Sequence, residues 1–204
     1  MYFLRLTSKL AERFRIAYPQ YWLDKLMADI HQANEGGGGP VLTGQILAIL
    51  RHPQLEREVT IPGVNLVTND GDVYYAQSSV AESPTDDFDA AAAGLRLGSA
   101  VTAVTKTDTD VTTFLAGTGH VLDATYPLTN DADADNTGAG TDIVTWTYSY
   151  LTSEGNAAGI AEGAIVDDRT TPTAALTHFL FAATFTKSSS DTLKCIVNHE
   201  ILGV

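Results

Sequence analysis

Carboxylates at alternate positions of segment 130–136 are the arrangement in this sequence best suited to holding a metal ion. Asp131, Asp133 and Asp135 take relative positions one, three and five of a calcium loop, and Asp142 takes position twelve. The sixth position is Asn136 instead of glycine, and the twelfth is not glutamate. The pattern favours a solvated acidic loop between strands, with a cation site as the alternative.

Cys195 is the only cysteine, and a neighbouring histidine would be needed to activate it as a nucleophile. His199 lies on the same face of a predicted strand but roughly 13 Å away, beyond hydrogen-bond reach. His178 could approach Cys195 from a neighbouring strand, although the sequence offers no orienting carboxylate or oxyanion hole. We therefore interpret Cys195 as a buried thiol that packs in the core.

Glu154 and Glu162 are the remaining pair that could serve in acid–base chemistry. Nothing in their spacing brings them together, so we interpret both as surface carboxylates. The glycine run Gly36–Gly39 lacks the Gly-Lys-Ser/Thr ending of a phosphate-binding loop and indicates a flexible tether. We predict no catalytic, cofactor-binding or metal-binding residues and no cofactor, and we expect that the chain is not an enzyme.

Charge is distributed unevenly along the 204 residues, whose formal net charge is -13. Five of the twelve basic residues lie in the first 25 positions, which carry about +3 and leave about -16 for the remainder. The acidic remainder argues against a nucleic-acid partner bound through a general basic surface. No apolar run is long enough to span a bilayer and no secretory signal is evident, so we expect a protein made in the cytoplasm without a membrane partner.

Three regions follow from the change in periodicity along the chain. Residues 1–34 have helical spacing, with a first helix that ends near Pro19 and a second, shorter one after it. Residues 35–40 form the glycine-rich linker, and residues 41–204 form the body. The predicted arm is basic and amphipathic, and its first helix has an apolar stripe of Phe3, Leu6, Leu10, Phe14 and Ala17. The arm could pack on its own body, dock on a neighbouring protein or lie on a membrane surface, and we hypothesise that it docks on a neighbour, because a glycine hinge suits a segment whose geometry another subunit sets.

The body has the period of two that β-strands require. Residues 43–50 and 56–61 predict two strands joined by a turn, and residues 95–104 and 111–116 are also strand-like. Segment 143–150 alternates Val144, Trp146, Tyr148 and Tyr150 with small polar residues, which is typical of a half-buried strand. Residues 176–185 and 193–202 predict a closing hairpin. The sequence thus predicts a mainly β protein, an antiparallel β-sandwich with an N-terminal helical arm.

Four segments, in this order, resemble a family of small virion structural proteins of tailed bacteriophages. They are 65–71 (Asn-Leu-Val-Thr-Asn-Asp-Gly), 93–98 (Ala-Gly-Leu-Arg-Leu-Gly), 144–166 and 181–193. The resemblance covers residues 42–204, and the arm before Gly36 lies outside it. It implies a structural role in the virion, at the neck, collar, tail or head surface.

From these features we expect a non-enzymatic structural subunit of a tailed-phage virion that assembles through protein–protein contacts, at the neck or collar or at the tail attachment. The alternatives are a capsid decoration protein of the head surface and a receptor- or carbohydrate-binding module of a tail fibre. The expected partners are other virion proteins, namely the head–tail connector, tail or capsid subunits. A homo-oligomer is also expected, because closed symmetry is the common arrangement for such components.

Overall fold

The computed structural model describes residues 42–129 and 143–201, with side chains described for 46–129 and 143–200. Leu42–Val204 form one compact unit. The predicted helical arm 1–34 and linker 35–40 lie outside the described residues, as do the acidic residues Asp131 to Asp142.

The described body begins with a long hairpin. Strand β1 (Leu42–His52) pairs antiparallel with β2 (Arg57–Val67), and a 3-10 turn (Pro53–Leu55) joins them. The two strands predicted here are confirmed, and β2 extends six residues further than its pattern predicted. Helix α1 (Asn69–Ser79) follows. The Thr68 hydroxyl accepts the Gly71 N–H at 3.1 Å, which caps one of the unpaired donors of the first turn.

Six more strands complete the described fold. They are β3 (Gly94–Gly98), β4 (Leu128–Thr129), β5 (Ile143–Tyr150), β6 (Ala157–Val166), β7 (Ala175–Lys187) and β8 (Thr192–Ile201). All described pairings are antiparallel, and all eight strands belong to one sheet in the order β3-β6-β7-β2-β1-β8-β5-β4. The protein is therefore mainly β, whereas the predicted division into two stacked sheets is not confirmed.

The sheet is curled, and a hydrogen-bond path between its two ends shows this. Strands β3 and β5 are six positions apart in the order, which would separate them by roughly 29 Å in a flat sheet. Yet Tyr150 of β5 donates its hydroxyl to the carbonyl of Thr118 at 2.9 Å, and the Thr118 hydroxyl donates to Leu97 of β3 at 3.1 Å. The curl lets one sheet enclose a core that a sandwich would enclose with two.

The concave surface, here called the inner face, carries the core. The aromatic alternation of β5 predicted this correctly, since Trp146, Tyr148 and Tyr150 are all buried in it. From β7, Phe179 contacts Phe181 edge-on with ring centroids 5.3 Å apart, and Phe181 contacts Phe185 in the same way. The opposite, outer face of the sheet is also shielded from solvent in places, because Thr145 and Thr147 on that face of β5 are buried.

The segment 99–116 is irregular, although parts of it were predicted to be strands. Strand β3 ends at Gly98, and only isolated bridges continue, such as that between Gly98 and Phe114. The cause is Glu162 of β6, whose carboxylate accepts the N–H groups of Ala100, Thr112 and Thr113. Backbone donors used in this way are not available for a ladder, so the segment folds over the outer face as a loop, here called loop 99–113.

Candidate functional site

Two neighbouring strands place an acid and a base side by side on the outer face. Glu162 of β6 is opposite Leu180 of β7, and His178 lies two residues before Leu180, in the diagonal position on the same face. The Nε2 atom of His178 is 2.9 Å from Oε2 of Glu162. Loop 99–113 adds a second carboxylate, because Oδ2 of Asp108 lies 2.7 Å from Nδ1 of the same ring. We call these three residues the Glu162 network.

A histidine whose two ring nitrogens both face carboxylates is held as the cation, since only imidazolium has two N–H donors. Burial alone would lower the pKa of His178, but the hydrogen bonds and charges of Glu162 and Asp108 outweigh burial and raise it. Burial would raise the pKa of Glu162, and the hydrogen bonds from His178 and three backbone N–H groups lower it instead. The pKa of Asp108 is likewise lowered, against its own burial, by bonds from Thr105 and His178.

An arginine strengthens the same contact between sheet and loop. Arg96 of β3 places Nε 2.8 Å from Oδ1 of Asp110, and its guanidinium lies 3.6 Å from the ring centroid of Phe114. A second nitrogen of Arg96 donates to the carbonyl of Arg169 at 2.6 Å. Gly98 is required here as well, because a Cβ at that position would be 2.3 Å from Glu162 Oε1. The sheet therefore fixes loop 99–113 through charged groups on β3, β6 and β7.

Solvent does not reach the centre of the Glu162 network. The exposed fraction of Glu162 is 0% and that of His178 is 1%, so no substrate can touch either side chain in this conformation. Our interpretation of Glu162 as a surface carboxylate is wrong, because loop 99–113 covers it. Glu154, the other carboxylate considered for acid–base chemistry, lies at the surface beside His120. Its Oε2 atom is 3.2 Å from Nε2 of His120. In this arrangement the Glu162 network holds loop 99–113 against the outer face of the sheet.

Cys195 and His199 lie on the inner face, where the thiol is fully buried in the core, as predicted. Burial raises the pKa of the Cys195 thiol above its ordinary value, which keeps it protonated and unreactive. His178 does not approach Cys195, because β2 and β1 separate their strands. Burial lowers the pKa of His199 to about 3, so its ring is neutral, and Nδ1 lies 2.6 Å from the Tyr75 hydroxyl. That hydroxyl also accepts the Trp146 indole N–H at 3.1 Å.

A polar surface cleft of about 340 Å³ lies near the turn between β5 and β6. Its lining residues are Gly117, Gly119, His120, Val121, Ser153, Glu154, Gly155 and Arg169. His120 is fixed in it by Glu154 and by a tilted contact with the Tyr150 ring, with ring centroids 4.3 Å apart. Gly155 has φ +57°, and a Cβ there would be 2.5 Å from the Tyr150 ring.

Sequence reasoning missed Asp108, His120 and Arg169 as members of these sites. Asp108 was visible only as part of the polar stretch between two predicted strands, and no short spacing connects His120 with Arg169. The described residues contain no group of three or more histidine, cysteine, aspartate or glutamate side chains placed to hold a metal ion. Within the same residues, no helix is both long and apolar enough to cross a membrane.

Comparisons of the chain with protein-family models, with curated proteins and with solved structures found no match.

Proposed function

We propose that this chain is a non-enzymatic structural subunit of a tailed-phage virion, placed at the neck, collar or tail attachment. It assembles through protein contacts with the head–tail connector, tail or capsid subunits and with copies of itself. The observation that carries the proposal is the Glu162 network. Glu162 and His178, the acid and the base that come together in the body, are buried and hold loop 99–113. We therefore assign them a role in stabilising the fold rather than in catalysis.

The described surface supplies further support for an assembly role. Several large apolar side chains are exposed, among them Leu55 and Val59 near the tip of the β1–β2 hairpin and Val101 on loop 99–113. Exposed apolar groups on a projecting hairpin are suited to being buried by another protein. The predicted helical arm 1–34, basic where the rest of the chain is acidic, is the second part of the proposal: it docks its apolar stripe on a neighbouring subunit.

Quantitative mass spectrometry of gradient-purified phage particles tests this proposal. The particles should come from the bacterial strain or lysate that carries this coding sequence. We expect peptides of the chain to copurify with particles at a fixed, low stoichiometry relative to the connector. A stoichiometry that scales with the major capsid subunit would instead select the decoration role. Absence from intact particles would contradict a virion role altogether.

The surface cleft favours a second candidate, a receptor- or carbohydrate-binding module. His120, Glu154 and Arg169 supply donors and acceptors of the kind that orient a polar ligand. A glycan array probed with the purified protein distinguishes the two functions. An assembly subunit should retain no glycan, whereas a binding module should retain a defined class and lose it on Arg169→Ala substitution.

A further inference from the structure

The sheet has a gap in its interior. Strand β2 starts at Arg57, but its pairing with β7 covers only Gly63–Val67. In the part of the chain that the structure describes, Arg57–Pro62 thus has β1 on one side and no strand on the other. Pro62 explains where the pairing stops, because proline has no N–H to donate to β7.

The hydrogen bonds of β2 show which backbone groups face this gap. The N–H of Thr68 donates to the carbonyl of Leu176 at 3.1 Å, so Thr68 faces β7. Backbone groups along an antiparallel strand alternate between its two neighbours. Thr60 and Glu58, at even steps from Thr68, therefore direct their N–H and C=O groups away from β1 and into the gap.

The two outermost long strands of the described sheet, β3 and β5, have their free edges partly covered. Segment 113–120 bonds along β3, for example through the N–H of Leu115 to the carbonyl of Leu97 at 3.0 Å. Along β5, the two-residue strand β4 pairs with Val144 and Thr145, and Asp123, which precedes β4 in the chain, continues the cover: its N–H donates to the carbonyl of Thr147 and its carboxylate accepts the N–H of Ser149. Proteins generally protect such edges, because an uncovered strand pairs with another chain. Among the described residues, three stretches have a strand on one side only: Arg57–Pro62 of β2, the facing residues 182–187 of β7, and residues 157–161 of β6.

We propose that β2 pairs antiparallel with β2 of a second copy of this chain, about a twofold axis that passes between the two Val59 residues. In that register Glu58 is opposite Thr60 and Arg57 is opposite Ile61. The outward-facing groups of Glu58 and Thr60 then form four backbone hydrogen bonds across the axis. No like charges are directly opposite, and Pro62 falls outside the pair. A twofold interface requires a self-complementary surface, and Arg57–Ile61 is self-complementary in this register.

The side chain at the axis supports this register. Val59 is on the inner face, opposite Leu50 of β1, yet 50% of it is exposed. At a non-hydrogen-bonded position the two Val59 Cα atoms would come within about 4.5 Å, so the pairing buries both side chains. Pairing over so few residues buries less than the roughly 1,200 Å² of a stable interface, so the contact is weak in dilute solution. The inference deepens and rests on the proposed assembly role, in which neighbouring contacts in a particle strengthen weak pairing.

Cysteine crosslinking tests the register directly. The native Cys195 is fully buried, so an introduced thiol is the one that reacts. We expect Val59→Cys to form a covalent dimer under mild oxidation, because its Cα separation lies within the range of a disulfide. Val80→Cys is the matched control: Val80 is more exposed, at 66%, but far along the chain from β2. Equal dimer yields from the two variants would overturn the proposal.

A proline substitution distinguishes crosslinking through paired strands from crosslinking through random encounters of the two thiols. Thr60→Pro removes an N–H that faces the gap and is not used by β1, so the fold is preserved. In the Val59→Cys background it should reduce the crosslinking rate roughly tenfold, because each copy loses one donor. An unchanged rate would refute the paired register. These outcomes are independent of particle location: a chain found in virions without this crosslink keeps the proposed function, and a crosslinked chain absent from virions keeps the pairing.

Discussion

Replacing Glu162 by glutamine removes one charge from a buried network and leaves the shape of the side chain nearly unchanged. In the native protein Oε1 accepts the N–H groups of Ala100 and Thr113, while Oε2 accepts those of Thr112 and His178. In either orientation, the NH₂ group of the new amide faces two N–H donors, either those of Ala100 and Thr113 or those of Thr112 and His178, and cannot accept a hydrogen bond from them. Breaking a buried ion pair by removing one partner costs about 3 kcal/mol or more. For a chain of this size that corresponds to a fall in Tm of roughly 6–12 °C.

The pH dependence of this loss follows from the directions of the pKa shifts. The pKa of His178 is raised above 6.5, so its contribution to stability is complete below 6.5 and is lost as pH rises through the folded pKa. The pKa of Glu162 is lowered from 4.5, so its contribution is complete above 4.5 and is lost as pH falls through the folded pKa. The difference between native protein and Glu162→Gln should therefore be largest between pH 4.5 and 6.5.

Denaturant unfolding of both proteins from pH 4 to pH 9 measures this difference. Glu154→Gln is the matched control, because Glu154 also faces a histidine but lies at the surface. Its unfolding midpoint should hardly change at any pH. A Glu162→Gln protein as stable as the control, or a loss that is the same at pH 5 and pH 9, would refute the assignment of an imidazolium between two carboxylates.

Three further experiments test other parts of the structure. Thr68→Ala removes the cap of α1 and should lower the free energy of unfolding by about 1 kcal/mol in denaturant titrations, and no loss would contradict the capping role. Gly155→Ala should lower the unfolding midpoint more than Gly117→Ala, because both have positive φ but only Gly155 abuts Tyr150. Cys195 should react with a soluble thiol reagent only after denaturant is added, and rapid labelling of the native protein would contradict its burial.

Local periodicity was sufficient to predict several strands. The hairpin β1–β2, the aromatic strand β5 and the last two strands, β7 and β8, have alternating apolar residues, and the strands are found where this alternation occurs. The predicted closing hairpin is wrong, because β7 and β8 do not pair: β2 and β1 lie between them in the sheet. Strand β6 was missed because Gly159, Ala161 and Gly163 give no β-branched or aromatic alternation. Its pairing depends on neighbours, and Gly163 is small because the Phe179 ring occupies the place of its side chain.

The site depends on long-range contacts that no sequence spacing contains. Asp108 and His178 are 70 residues apart, and Glu162 receives bonds from residues about fifty positions earlier. A strand-like composition predicted strands at 95–104 and 111–116, but β3 ends at Gly98, and the carboxylate of Glu162 accepts three backbone N–H groups of the segment that follows. The single curled sheet has a similar origin, because alternation predicts which side chains are inward without saying whether one sheet or two surround them.

Imaging of intact particles that carry a label at the terminus of this chain tests the central claim most directly. An electron-dense tag on the Val204 end should mark a fixed position at the neck, collar or tail attachment, repeated around the particle axis. Unlabelled particles, in a preparation where the tagged protein is expressed and folded, would contradict a virion subunit.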